Sequence, residues 1–258
     1  MRKKKARRWQ MLAKSWGGTT IKALYIALKD ARVYYFKAPN FTYGILIPVS
    51  LYLAFSMAGN ISSKLIVAGL TSLVMLFGTT SIEAVAVVLE KQTGTLDRLL
   101  SAPVSLFTIV LGKALAGFFF GLILAGVVLF PLAVVSGVAI LNPLLAVVAI
   151  AFTSMAFSAL GIVASAYAKW VPEAQMISNF LRFPMVFLSG TFVALETYPF
   201  QLQVVARLLP LTYSVEALRS SIANSTVTLT YAVDIGALAL FTVIFLALST
   251  VILKKRIA

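Results

Sequence analysis

An all-α membrane protein is predicted, with six transmembrane helices, both termini cytoplasmic and an amphipathic interfacial helix before the first span. Three observations predict it. Of the 258 residues, 60% are apolar and only 12% are charged. That is roughly half the charged fraction of a soluble domain and too little to cover a water-facing surface. Uncharged runs long enough to cross a bilayer recur along the chain. The cations gather at the two ends: eleven of the 22 Lys and Arg precede Pro39, and Lys254, Lys255 and Arg256 lie at the other end.

A crossing helix needs about 20 residues at 1.5 Å each, and the charges bound the runs. The 26 uncharged residues between Lys37 and Lys64 hold a first span, 41–58. The 18 between Lys64 and Glu83, with apolar character continuing to Leu89, hold a second, 65–88. The 55 between Lys113 and Lys169 hold two, 106–135 and 143–168, divided at Ser136-Gly137 and Asn142-Pro143, the best turn signal in the run. A fifth span, 175–195, contains Arg182, and a sixth, 235–253, fills the 19 residues between Asp234 and Lys254. With this count, 18 of the 22 cations fall on one side, which the positive-inside rule makes the cytoplasm. The first long uncharged run begins only at Ala38, so no cleaved secretory signal is expected.

Composition excludes whole classes of chemistry. There is no Cys and no His, hence no thiolate site, catalytic Ser-His-Asp triad or His-based metal centre. No metal or cofactor site is expected on this chain. The eight carboxylates are scattered. The net charge of +14 is explained by cytoplasmic segments flanking apolar spans, and nucleic-acid binding is set aside.

The whole chain reads as one transmembrane domain, and its non-spanning parts are informative. Residues 1–40 form a basic arm and an interfacial helix, with Ile21, Leu24, Tyr25, Leu28 and Tyr35 on helical spacing. The external segment, 196–234, is too apolar for a solvated loop and is expected to hold short helices. Between the second and third spans lies a cytoplasmic loop, 90–104. There Gly94 can turn the chain, Thr95 can cap a helix, and Leu96, Leu99 and Leu100 form one apolar stripe before Pro103. A helix of two turns is marginal alone. Its stripe must dock, either on a cytoplasmic partner or on its own bundle.

Glu90, Gly94-Thr95-Leu96, the Leu99-Leu100 pair and Pro103 resemble the E-x-x-x-G-T-L-x-x-L-L-x-x-P stretch of ABC type-2 transporter permeases, which includes their coupling helix. Phe187-Leu-Ser-Gly-Thr191, followed by Pro210-Leu-Thr-Tyr213, Glu216 and Arg219, is similar to the F-L-S-G and P-L-T-Y-x-x-E-x-x-R patterns near the external end of that family. Val193-Ala194-Leu195 departs from it, standing where the family often has Pro.

The resemblance implies the permease subunit of an ABC exporter in the cytoplasmic membrane, moving a drug-, lipid- or polysaccharide-like substrate. Two permeases, copies or relatives, would pair. Each would meet a separate ATPase subunit that holds ATP and Mg, since the chain has no phosphate-binding G-x-x-x-x-G-K-[ST] loop. Glu90, Gly94, Thr95, Leu96, Leu99 and Leu100 would couple to that ATPase, and the permease would not itself be an enzyme. The family's dimer pathway is lined by the second and fifth spans, so a Glu83–Arg182 ion pair is a candidate there. A pair with Glu90 instead, snorkelling of Arg182 and contact with substrate are its alternatives. Phe180, Phe183 and Phe187 share one face of the fifth span and are either a pathway or a packing surface. Lys113 is expected to snorkel to the cytoplasmic interface. Gly112, Ala116, Gly121 and Gly126 are expected to allow close helix approach. The competing readings are an ion-coupled carrier or channel, and an integral membrane lipid-modifying enzyme.

Overall fold

The computed structural model describes residues 19–35, 50, 54, 62–223 and 226–257. The predicted first span, 41–58, and most of the basic arm lie outside the described residues. Every regular element among the described residues is helical. They are α1 (Thr19–Asp30, continued by a π-helical turn, Ala31–Tyr35), α2 (Ser63–Gln92), α3 (Thr95–Leu100), α4 (Leu106–Val135), α5 (Pro143–Tyr167), α6 (Val171–Leu188), a 3₁₀ turn (Leu195–Thr197), α7 (Phe200–Ala206), α8 (Pro210–Ala223) and α9 (Leu229–Ile257).

Among the described residues, four helices are long and apolar enough to cross a membrane: Ser63–Gln92, Leu106–Val135, Pro143–Tyr167 and Leu229–Lys255. They overlap the second, third, fourth and sixth predicted spans, the last beginning at Leu229 and so taking in Asp234, the residue expected to bound it. The helix at the predicted fifth span starts earlier and stops sooner, at Leu188. Its 18 residues reach only about 27 Å, and Glu173, Arg182, Gln175 and Asn179 reduce its hydropathy. It ends where Gly190 takes φ +75°, a conformation that suits glycine. Residues 189–195 are therefore not part of a crossing helix.

The ends of the elements follow from local chemistry. The side chain of Ser105 accepts the Thr108 N–H at 3.2 Å and starts α4. Asn142 accepts the Leu145 N–H at 3.1 Å and Pro143 supplies the first helical residue of α5. The Asn142-Pro143 turn is thus where the sequence places it.

α2 is the central helix and packs against α4, α5, α6 and α8. Along α2 nearly every side chain from Leu65 to Leu76 is buried. α9 lies on α5 and α8, and α1 lies on α4. Residues 195–223 hold the 3₁₀ turn, α7 and α8, whereas the last residues of the predicted segment, from Leu229, already belong to the long helix α9; α8 is more deeply buried than its place in a loop suggests. Leu211, Val215, Leu218 and Ile222 belong to the main core. Buried hydroxyls lock α8 between its neighbours: Thr153 Oγ1 donates to Ser214 Oγ at 3.0 Å, which donates to Ser72 Oγ at 2.9 Å. In a bilayer such groups must find partners inside the protein.

Small residues set the helix spacing. A Cβ on Gly112 would stand 2.7 Å from the Ala23 carbonyl oxygen, so the glycine lets α1 lie directly on α4. Gly121 and Ala116 are also buried at helix contacts. Gly126 differs from the expectation: a Cβ there would meet nothing within 4 Å. It borders an apolar groove of about 490 Å³ between α4 and α5.

Candidate coupling site

The turn between α2 and α3 is built as the sequence suggests, with one correction. Gly94 adopts φ +68°, ψ +10° and is itself the N-cap of α3. Thr95 is the first helical residue, and its hydroxyl turns back to the Glu90 carbonyl at 3.4 Å and to Thr93 Oγ1 at 2.6 Å. The left-handed glycine reverses the chain within two residues, so α3 folds back beside the end of α2.

The apolar stripe of α3 faces its own bundle. Leu96 is buried, and Leu99, Leu100 and Val104 pack with it against Ile26 of α1 and Ile109 of α4. This burial is what makes a six-residue helix stable. The outward face is polar: Gln92, Thr93, Asp97 and Arg98 are exposed. Beside it opens a cavity of about 560 Å³ lined by Lys91, Gln92, Leu96, Asp97, Lys169 and Leu253. Lys91 fixes one wall, donating to the carbonyls of Ser165, Ala166 and Ala168 at 2.8, 3.2 and 3.4 Å. A cation there satisfies the orphan acceptors at the end of α5.

Behind the turn lies a ring of four charges that the sequence reading missed. Lys113 of α4 is 1% exposed and does not snorkel. Its ammonium contacts Asp30 Oδ2 at 3.1 Å and Glu90 Oε2. Lys29, half-exposed, contacts Asp30 Oδ1 at 2.9 Å and Glu90 Oε1. The Lys29–Asp30 approach is electrostatic rather than an aligned hydrogen bond. Two cations thus alternate with two fully buried carboxylates, and the ring is neutral. It fastens three elements together: α1 through Lys29 and Asp30, the last turn of α2 through Glu90, and α4 through Lys113. Lys22 adds a bond from α1 to the Pro103 carbonyl at 3.3 Å, just beyond α3. A signal for Asp30 was present in the sequence: Ala23, Ile26, Ala27 and Asp30 share one helical face, and all four are buried.

Glu83 and Arg182 do not pair with each other. Glu83 Oε1 accepts the Gly117 N–H at 3.2 Å and the Ser158 hydroxyl at 3.3 Å, on the α4–α5 side of α2. Arg182, 1% exposed, satisfies its guanidinium with neutral acceptors between α6 and α2. These are the carbonyls of Ser178 and Phe77 at 3.1 and 3.3 Å, Ser81 Oγ, Gln175 Oε1 at 3.2 Å and Asn179 Oδ1 at 2.8 Å. The guanidinium carbon also lies 4.8 Å from the Phe77 ring centroid. Phe180 and Phe187 are largely exposed on α6, and Phe183, half-exposed, meets the Phe77 ring of α2 edge-on with centroids 6.4 Å apart.

At the far end of the bundle the Pro210-to-Arg219 motif forms a brace. Pro210 opens α8, and the Tyr213 hydroxyl donates to the Arg207 carbonyl at 2.6 Å. Arg219 pairs with Glu196 at 2.6 Å, tying α8 to the 3₁₀ turn. The hydrogen bond from Arg219 holds the Glu196 carboxyl below the usual carboxylate range. Glu216 is half-buried, and loss of solvent raises its carboxyl pKa.

Comparison with known proteins bears on this arrangement. Nodulation protein J of Rhizobium leguminosarum bv. trifolii is 32% identical over 117 residues, covering 45% of this chain and 44% of the relative. Nodulation protein J of Rhizobium meliloti (strain 1021) is 32% identical over 108 residues, covering 42% and 41%. The chain therefore spans less than half the length of these curated relatives in the matched region. A family model, ABC-2 type transporter, matches residues 22–223, from the inner face of α1 to the end of α8. It takes in the charge ring, the Gly94 turn and the Arg219 brace, and the chain belongs to the ABC-2 type transporter family.

Proposed function

We propose that the chain is the permease subunit of an ATP-driven exporter in the cytoplasmic membrane. It pairs with a second permease, and each permease meets a separate ATPase subunit that carries ATP and Mg. The substrate is a drug-, lipid- or polysaccharide-like molecule. On this reading residues 41–58 and α6 complete six spans, and α1 and α3 lie on the cytoplasmic side. The cation excess around α1, α3 and the end of α9 supports that orientation.

The observation that carries the proposal is the build of the turn at Gly94. The turn and the short helix expose Gln92, Thr93, Asp97 and Arg98, while the apolar face of α3 and the adjoining Glu90 of α2 are both fixed to α1 and α4. A push on the outer face of α3 passes into α2 and α4, two membrane-length helices, and into α1. Coupling requires that each nucleotide state favour one arrangement of the bundle. Because Leu99 and Leu100 face inward, the ATPase would touch Asp97 and Arg98 and the polar groove beside them.

The test is purification of the tagged chain from its native membranes in gentle detergent, with identification of every protein that accompanies it. An ATPase in stoichiometric amount, lost from the charge-reversed variant Asp97→Arg with Arg98→Asp, is the expected result. A folded, monodisperse chain that brings down no ATPase in several detergents would overturn the proposal.

A further inference from the structure

A carboxylate at the edge of an apolar span normally meets water. Asp234 does not. It lies inside α9 and is 1% exposed, and its Oδ2 has no hydrogen-bond partner among the described residues. The donors around it are committed elsewhere. The hydroxyl of Tyr231, on the same helix, donates to the Leu145 carbonyl at 2.7 Å. The Tyr213 hydroxyl is bound to the Arg207 carbonyl, and Arg219 turns both terminal nitrogens to Glu196.

Two charged side chains act on Asp234, both from α8: Glu216 repels a negative charge there and Arg219 attracts one. The other helices packed on α9 are α5 and α4. α5 contains no Asp, Glu, Lys or Arg, and the one charge in α4 is Lys113, in the ring at the opposite end of the bundle. An ionised carboxylate buried without a donor is too costly to persist and takes up a proton instead. A metal cation could neutralise it too, but no third carboxylate joins Asp234 and Glu216 among the described residues, and a cation held by oxygens needs more ligands than two side chains supply.

We infer that Asp234 is a proton-binding site at the external end of the bundle, coupled to the Arg219–Glu196 brace. With the proton bound, Asp234 is neutral and Arg219 is left to Glu196, the arrangement seen here. When the proton leaves to solvent, a bare carboxylate faces no donor. Arg219 is the one cation acting on it, so ionisation draws Arg219 from Glu196 towards α9. The 3₁₀ turn, Leu195–Thr197, is then released from α8. By linkage, whatever frees Arg219 from Glu196 must also weaken proton binding at Asp234. The inference shares with the proposed function only the external placement of α8. Proton binding is measured on this chain without an ATPase or a substrate, so either idea can fail alone.

Infrared spectroscopy of the full chain in phosphatidylcholine nanodiscs reads the proton directly, because a carboxylic acid has a C=O stretch that a carboxylate lacks. At neutral pH the parent should show such a band, shifted in deuterated water and lost in alkaline buffer. Asp234→Asn, the uncharged isostere, should lack it. Isotope-labelled aspartate should shift the band in the parent itself, which assigns it without any substitution to one of Asp30, Asp97 and Asp234; of these, Asp97 is exposed and Asp30 is paired with two cations. The pH at which the band disappears should fall by about one unit or more in Glu216→Gln and in Glu196→Gln, and rise by about as much in Arg219→Gln. A band that labelled aspartate leaves in place, or that Asp234→Asn retains, would overturn the inference. So would parent spectra that are the same in neutral and alkaline buffer, loss of the band on adding sodium or calcium at neutral pH, or a titration that none of the three variants moves.

Discussion

Lys113 of α4 stands 3.1 Å from Asp30 of α1, with both side chains 1% exposed and Glu90 of α2 on the other side of the same ammonium. Neither charge has water to fall back on. Taking such ions out of water costs several kcal/mol each, and the arrangement survives because every carboxylate meets two cations. The ring is thus weak evidence for stability and stronger evidence for fixed geometry between α1, α2 and α4.

A first prediction follows from that asymmetry. Lys113→Met leaves two buried carboxylates facing each other across the space of one cation, with only half-exposed Lys29 beside them. Loss of about 3–5 kcal/mol is expected, read as a fall in the temperature at which the detergent-solubilised chain aggregates. Neutralising the whole ring, with Lys29→Met, Asp30→Asn, Glu90→Gln and Lys113→Met together, should recover most of the loss, because no uncompensated charge remains. If the quadruple variant is less stable than Lys113→Met alone, the ion-pair account is wrong.

The Gly94 turn gives a second. A Cβ at Gly94 would meet nothing within 4 Å, so for alanine the penalty is the left-handed backbone at φ +68°. Gly94→Ala should cost about 1–2 kcal/mol, and Gly94→Val more, without any change in core packing. Gly94→Asn should be the mildest of the three, since Asn tolerates this region. Thermal stability of the three variants gives the order. An alanine variant as stable as the parent would show that the turn relaxes freely.

The Glu196–Arg219 pair makes a third, with a defined sign. Arg219 lowers the pKa of Glu196 in the folded chain, so the unfolded chain takes up the proton first as pH falls. The contribution of the pair is complete above the ordinary carboxylate pKa and is lost as pH drops through the lowered folded value. The Glu196 side chain is 64% exposed, so the contribution is at most about 1 kcal/mol and shrinks with salt. Glu196→Gln should lower the unfolding temperature slightly at neutral pH and leave it unchanged in strong acid. A difference that persists in acid would assign the effect to packing.

How much of this was legible beforehand depends on the range of the interaction. The long helices follow from local rules, and the Ser105, Asn142-Pro143 and Gly94 boundaries are each fixed by one residue's own chemistry. α6 was placed about four residues late, because its first turn contains Pro172 and Glu173, which look like loop in a hydropathy reading but suit a helix start. The ring was missed because its contacts join residues as far as 83 positions apart, Asp30 and Lys113, and hydropathy assigns each member to a helix end where a charge normally meets water. The direction of the Leu96, Leu99 and Leu100 stripe could not be read either. An apolar face states that it must be buried, not by what, and Ile26 and Ile109 settle that only once α1 lies on α4.

Arg182 supplies the last prediction, which separates charge from shape. Its planar fork reaches five acceptors, two of them the helix carbonyls of Phe77 and Ser178. A lysine keeps the buried charge but has three donors on a flexible stem and cannot reproduce that fork or the stacking on Phe77. A methionine removes the charge altogether. Gln175 and Asn179 then lose one partner each, which costs about 1–3 kcal/mol per group unless they bond each other across one helical turn. Arg182→Lys should therefore be at least as destabilising as Arg182→Met, the reverse of the order that conservation of charge suggests. Fluorescence-detected size exclusion after heating measures both. If Arg182→Lys behaves like the parent while Arg182→Met collapses, the cation itself, and not the shape of the fork, is what the surrounding acceptors require.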